Sequence, residues 1–211
     1  RSICDRNGII LIFDECTSGF RETFGGLHKK YNVEPDMAIF GKALGNGYSI
    51  TAVLGKQEIM QYAQRTFISS TFWTERIGPT AALKTLEVMK KTNSWEKITL
   101  TGKKIRKIWE TLARKHGIQI SINGIPALST FNFTEENSLK LKTIFIQEML
   151  KEGYLCTTAF YASLAHTEEV INQYEESVDK TFKKISVIKD TQNIDDFLEG
   201  PIVHNGFKRL N

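Results

Sequence analysis

Apolar residues are distributed in two different ways along this chain. Up to about residue 92 they come in short unbroken runs. The first, Gly8-Ile9-Ile10-Leu11-Ile12-Phe13, is rich in β-branched side chains and stops at Asp14-Glu15. Its length and continuity predict a strand buried on both faces, as in a parallel sheet. A second run, Met37 to Phe40, follows the turn signal Glu34-Pro35-Asp36 and stops at Gly41-Lys42. A third, Ile50 to Leu54, ends at Gly55. Helices are predicted at about 56–65 and 76–91. Polar residues therefore sit at the C-terminal ends of strands, which is where open α/β sheets bind ligands.

Beyond residue 92 the spacing becomes helical. An amphipathic helix is predicted at about 95–116, strands at 118–122 and 127–133, and a helix at about 138–152. An extended stretch follows near 154–161. Thr167-Glu168-Glu169 reads as an N-cap with an acidic first turn, opening a helix that runs to about 188. This helix–strand–strand–helix–strand–helix order predicts a small α+β domain over 93–189. The tail 190–211 has no clear periodicity, and there is no internal repeat.

Composition narrows the picture only modestly. With 211 residues, 41% hydrophobic and 25% charged, the chain is ordinary for a globular protein. The net charge of +4 is spread along the sequence. Its densest stretch, Lys103 to Lys115, alternates with Ile105, Ile108, Trp109 and Leu112 at helical spacing. That pattern fits a solvated helix face better than a nucleic-acid patch. Cys4, Cys16 and Cys156 are odd in number, far apart and without metal-ligand spacing, so a reducing compartment, the cytoplasm, is expected. No apolar run reaches membrane-spanning length. The opening Arg1-Ser2-Ile3-Cys4-Asp5 reads like a helix already under way, which suggests preceding chain.

Taken singly, the candidate chemical residues are weak signals. Asp14-Glu15 could be a surface carboxylate pair or a helix cap, and Lys42 a solvated loop lysine. Gly41, Gly45 and Gly47 lack the spacing of a P-loop or of a dinucleotide-binding turn.

Their order is far more specific. Phe13-Asp14-Glu15-Cys16-Thr17-Ser18-Gly19-Phe20-Arg21 resembles the aspartate motif of class III aminotransferases. Pro35-Asp36 with Phe40-Gly41-Lys42-Ala43-Leu44-Gly45-Asn46-Gly47 resembles their lysine motif, and the 28-residue separation of Asp14 from Lys42 suits it. Ser69 to Thr74 resembles the segment that reaches a phosphate across the family's homodimer. Gly153-Tyr154-Leu155 and Ala165 to Glu169 resemble its small domain. The likeness runs from residue 1 to about 188 and is nearest to the glutamate-1-semialdehyde aminomutase branch.

The resemblance implies an α/β fold of fold-type I. Residues 1–92 would be the C-terminal part of a cofactor-binding large domain with a mixed sheet. It implies pyridoxal 5'-phosphate as cofactor, and an amino group transferred between a small-molecule donor and a carbonyl acceptor. Lys42 would form the Schiff base with the cofactor aldehyde and shuttle protons, helped by partial burial. Asp14 would keep the pyridine nitrogen protonated, so that the ring works as an electron sink. Cys16, where the family usually has Val or Ile, would pack on the ring. Thr71 would reach the phosphate of a second copy from near the start of the 76–91 helix. Asn46 stands in for a common glycine and suits a left-handed turn. Trp73-Thr74 departs from the small residues usual there. Family members are about twice as long, so a truncated, catalytically idle remnant with a structural or dimerising role is the alternative reading. Uncovered sheet faces near 9–13 and 37–40 are then expected. His166 is read as a structural residue before a helix, and His28 as unconnected to the other candidates.

Overall fold

The computed structural model describes residues 1–191, 193–204 and 206. The chain divides into two compact units, Arg1–Lys97 and Ile98–Asn211.

The first unit opens with a short helix, α1 (Ser2–Asn7), closed by Gly8 in the left-handed region (φ +63). Strand β1 (Ile12–Asp14) pairs in parallel with β2 (Met37–Phe40), which pairs antiparallel with β3 (Ala52–Gly55). The short helix α2 (Gln57–Met60) runs into a 3-10 turn at Gln61–Arg65, and the long helix α3 (Ile77–Thr92) follows. Asp36 ties the sheet together. Its buried carboxylate accepts the Leu11 N–H (2.8 Å) at the entry to β1 and pairs with Arg1 and Lys56. The Leu11 N–H first, then the two cations, hold that carboxyl well below the usual range.

Alternation along β2 sends Ala38 and Phe40 inward, against Leu44 and Ala82. Phe20, Ile50, Ala52 and Leu86 complete this small core. The apolar run at 8–13 is not buried on both faces as its continuity predicts, but partly uncovered, as expected near 9–13. Only Ile12–Asp14 forms a strand, and Ile9, Ile10 and Ile12 are about half exposed rather than buried on both faces. β1 has a single strand neighbour among the described residues, so a run suited to a sheet interior lies at a sheet edge.

The second unit contains most of helix α4 (Ser94–Lys115), then β4 (Ile120–Ile125), β5 (Leu128–Phe133), α5 (Ser138–Lys151), β6 (Ala159–Tyr161) and α6 (Glu168–Ile188). The three strands form an antiparallel sheet in the order β4–β5–β6. Its core is built around Phe131, whose ring lies 4.9–5.9 Å from those of Trp109, Phe133, Phe145 and Phe182. Full burial of such a side chain contributes roughly 1.5–3 kcal/mol. Trp109 Nε1 donates to the Tyr174 hydroxyl (3.0 Å), so the buried indole N–H has a partner. On α4, Ile105, Ile108, Trp109 and Leu112 are buried while Lys103, Lys107, Arg114 and Lys115 face solvent, as the helical spacing predicts. Thr167 caps α6, its hydroxyl accepting the Val170 N–H.

The tail shows an order that its aperiodic sequence does not announce. A 3-10 turn at Ile194–Phe197 places Ile194 and Leu198 on the core. Gln147 on α5 grips the segment from both amide atoms, donating to the Phe197 carbonyl and accepting the Glu199 N–H. The Val203 N–H reaches the Thr143 hydroxyl.

Candidate active site

The site is assembled where β1 and β2 end. Their parallel register sets Asp14 opposite Ile39, and the Glu15 N–H donates to the Ile39 carbonyl (2.9 Å). The chain leaves both strands on the same edge. Asp14 is the last residue of β1, and Lys42 follows two positions after the end of β2. Asp14 Oδ1 accepts the Cys16 N–H (3.0 Å), which fixes one carboxylate oxygen. Cys16 packs against Gly41 so closely that a Cβ there would stand 2.9 Å from its Sγ. Lys42 lies in the left-handed region (φ +43), where a side chain costs of order 1–3 kcal/mol. Its carbonyl accepts from the Gly45 and Asn46 N–H groups, which closes a 3-10 turn. Asn46 is itself left-handed (φ +47), as the substitution for glycine suggests. Lys42 Nζ donates to Thr17 Oγ1.

Cys16 and Thr17, just after Asp14, thus meet the Gly41–Lys42 turn beyond the ends of β1 and β2. Asp14 and Lys42 are exposed, and Cys16 and Thr17 half-buried. The partial burial expected of Lys42 is not found. Leu44 anchors its turn in the small core against Ala82, but the Lys42 side chain itself stays exposed.

Thr71 is not brought to this group. It lies on a turn at residues 71–74, is exposed, and makes no hydrogen bond to Asp14, Cys16 or Lys42 among the described residues. Nor does its segment cap α3, which begins at Ile77 with Arg76 at the N-cap and no side-chain cap bond. The segment instead borders a cleft of about 920 Å³ with Ile50, Tyr62, Ser69, Ser70, Phe72 and Trp73 among its walls.

Glu15 and His28 emerge only from the structure. Glu15 is buried and accepts the Leu27 N–H (2.6 Å), the His28 N–H (2.9 Å), the Ser18 hydroxyl (2.9 Å) and His28 Nδ1 (2.8 Å). Burial alone would raise its pKa. The His28 and Leu27 N–H groups, the His28 ring and Ser18 outweigh that and hold the carboxyl below its ordinary value. Glu15 is therefore an anchor for the turn that carries Cys16 and Thr17, and His28 is part of it rather than unconnected. Ser18, three residues on, was the one local signal; the 13 residues to His28 hid the rest. His166 accepts the Ser163 N–H (3.0 Å) ahead of α6, the structural place expected of it, and burial first lowers its pKa. Among the described residues no group of His, Cys, Asp and Glu could hold a metal ion. No described helix is long and apolar enough to cross a membrane.

A primary amine and a carboxylate on adjacent ends of parallel strands, with a half-buried thiol beside them, suit an aldehyde cofactor with a basic ring nitrogen. The fold has the same class. Solved structures superpose on nearly the whole chain. FumI from Sphingopyxis sp. MTA144, in a pyridoxal-phosphate form, matches with a TM-score of 0.84 at 24% identity, over 94% of this chain and 49% of that one. Ornithine aminotransferase of Plasmodium yoelii matches with a TM-score of 0.71 at 23% identity, over 87% and 52%. The α/β architecture is that of the fold-type I transaminases.

The chain belongs to the class-III aminotransferase family, whose model matches residues 1–188. The cofactor of that family is pyridoxal 5'-phosphate. A 3-aminobutyryl-CoA aminotransferase of Cloacimonas acidaminovorans (strain Evry) is 32% identical over 186 residues, which is 82% of this chain and 45% of that protein. The chain therefore spans about half the length of the relatives it matches.

Proposed function

We propose that this chain carries the lysine and the aspartate of a pyridoxal-phosphate-dependent aminotransferase site. The observation that supports this most is the parallel register of β1 and β2, which pairs Asp14 with Ile39, three residues before Lys42, so that both residues lie where the strands end. Bound there, the cofactor supplies an electron sink. Lys42 is assigned to hold its aldehyde carbon and then to carry a proton between substrate and cofactor carbons. Asp14, held by the Cys16 N–H, is assigned to keep the ring nitrogen protonated. Cys16 is assigned to the ring face. Thr71 is assigned to the phosphate of a second copy's cofactor in a homodimer, a role suited to its exposed turn away from Lys42. Residues 1–92 would serve the cofactor, 93–189 form the small domain, and 190–211 the tail. The substrates are a small amino donor and a carbonyl acceptor, and the location is the cytoplasm. Isomerisation of a single amino substrate, in the manner of glutamate-1-semialdehyde aminomutase, is the finer alternative. Stoichiometry distinguishes it, since one substrate is then converted to its positional isomer with no separate carbonyl acceptor consumed.

Visible absorbance tests the assignment. Protein mixed with pyridoxal phosphate should develop a band that Lys42→Ala abolishes and Asp14→Asn shifts. An equally coloured Lys42→Ala protein would overturn it. For Thr71, mixing Thr71→Ala with Lys42→Ala should restore part of the activity, because one of the two sites then carries neither defect. No recovery with subunit exchange confirmed contradicts the role in trans.

A further inference from the structure

We propose that Thr17 is a positioning residue for the Lys42 amine, a role that rests on the assignment of Lys42 as the cofactor-holding lysine. Lys42 Nζ donates to Thr17 Oγ1 from the neighbouring strand end, 25 residues away in sequence. Both partners stand on braced turns. On the Thr17 side, the Gly19 N–H donates to the Glu15 carbonyl (2.8 Å), Arg21 Nε donates to the Thr17 carbonyl (3.3 Å), and the Ser18 hydroxyl is bound to buried Glu15. On the Lys42 side, the left-handed backbone and the two N–H groups on its carbonyl fix where the side chain starts. The two turns touch immediately beside this hydrogen bond, where Cys16 Sγ leaves Gly41 no room for a Cβ.

A lysine side chain has four rotatable bonds, and its freedom must be given up when the amine meets the aldehyde. A partner for Nζ removes part of that freedom beforehand, which is how orientation favours a reaction. A neutral amine that donates one N–H to Thr17 keeps its lone pair free to bond carbon. The hydroxyl therefore directs the nitrogen without occupying the electrons it must use. The competing account is an exposed hydrogen bond that water replaces without consequence.

Two labelling reactions on the cofactor-free protein separate these accounts. In the first, the amine bonds to the aldehyde carbon of pyridoxal phosphate with loss of water, and borohydride delivers hydride to fix the bond. In the second, acetic anhydride acetylates the same amine without needing an orientation. Peptide mapping reads both at Lys42, with Lys29 as the internal standard. Thr17→Val should lower pyridoxal-phosphate labelling of Lys42 by about threefold to tenfold, the worth of one hydrogen bond. It should leave acetylation within about twofold, and Thr17→Ser should label like the unsubstituted protein. Unchanged labelling in Thr17→Val overturns the proposal. Equal slowing with both reagents also overturns it, because that reports basicity or folding. Should Thr17→Val not fold, Thr17→Ala and Thr17→Ser carry the same comparison. If Lys42 is unlabelled even in the unsubstituted protein, the assignment of Lys42 itself fails, and the role of Thr17 with it.

Discussion

The two units of this chain use their apolar residues in opposite ways. In Ile98–Asn211 the large side chains converge on one aromatic cluster, and Trp109, Phe131, Phe145 and Phe182 are fully buried. In Arg1–Lys97 the buried cluster is four residues, while Phe67, Trp73, Tyr62 and the isoleucines before β1 face outward. Yet every residue proposed to act chemically lies in that thinly packed unit. What fixes these residues is polar: Asp36 at one end of the sheet and Glu15 at the other, each a buried carboxylate surrounded by donors. The second unit shows a core holding a fold; the first shows hydrogen bonds and charge holding a geometry.

Substitutions can break that contrast. Phe182→Ala removes a fully buried ring that lies 5.8 Å from Phe145 and 5.9 Å from Phe131. It should cost about 3–5 kcal/mol in chemical denaturation. Phe40→Ala, in the small core of the first unit, should cost less, and the reverse ranking would contradict the comparison. Glu15→Gln should cost about 1–3 kcal/mol, because a neutral amide replaces an ion that accepts several hydrogen bonds. Its measurement is urea denaturation against pH. The donors around it hold the folded carboxyl below its ordinary value. The contribution is therefore complete above that value and is lost as pH falls through the lower folded pKa. The gap between the two proteins should narrow on acidification, and a gap independent of pH would refute the role of the charge. Thr167→Ala should have the smallest effect, about 1 kcal/mol, through the lost cap of α6. Faster hydrogen exchange at the Val170 amide would report it.

The sequence revealed most where structure depends on nearby residues. Helices α4, α5 and α6 and the Thr167 cap follow from 3.6-residue spacing and from one hydroxyl three positions ahead of its N–H. The strand ends were legible as points where apolar runs meet Asp14-Glu15 and Gly41-Lys42, and the left-handed turn at Asn46 followed from its residue type. What stayed hidden depends on distant partners. A continuous apolar run signals fitness for a sheet interior, but does not say how many strands flank it, so the run by itself does not show the exposure of Ile9 and Ile10. Glu15 could be seen as a carboxylate after a strand, yet its burial requires the loop to return Leu27 and His28. The Thr17–Lys42 pair exists only once β1 and β2 are in register. The tail has no period because it is held by single contacts from Thr143 and Gln147 rather than by a repeating face.

The central claim is that Lys42 holds the cofactor, and the most direct measurement is a mass map of the protein after pyridoxal phosphate and borohydride. The mass of the reduced cofactor should fall on the peptide containing Lys42, in preference to the other lysines, and should disappear from that peptide in Lys42→Ala. Label scattered over exposed lysines, or concentrated on a different one while Lys42 stays unmodified, would contradict the account.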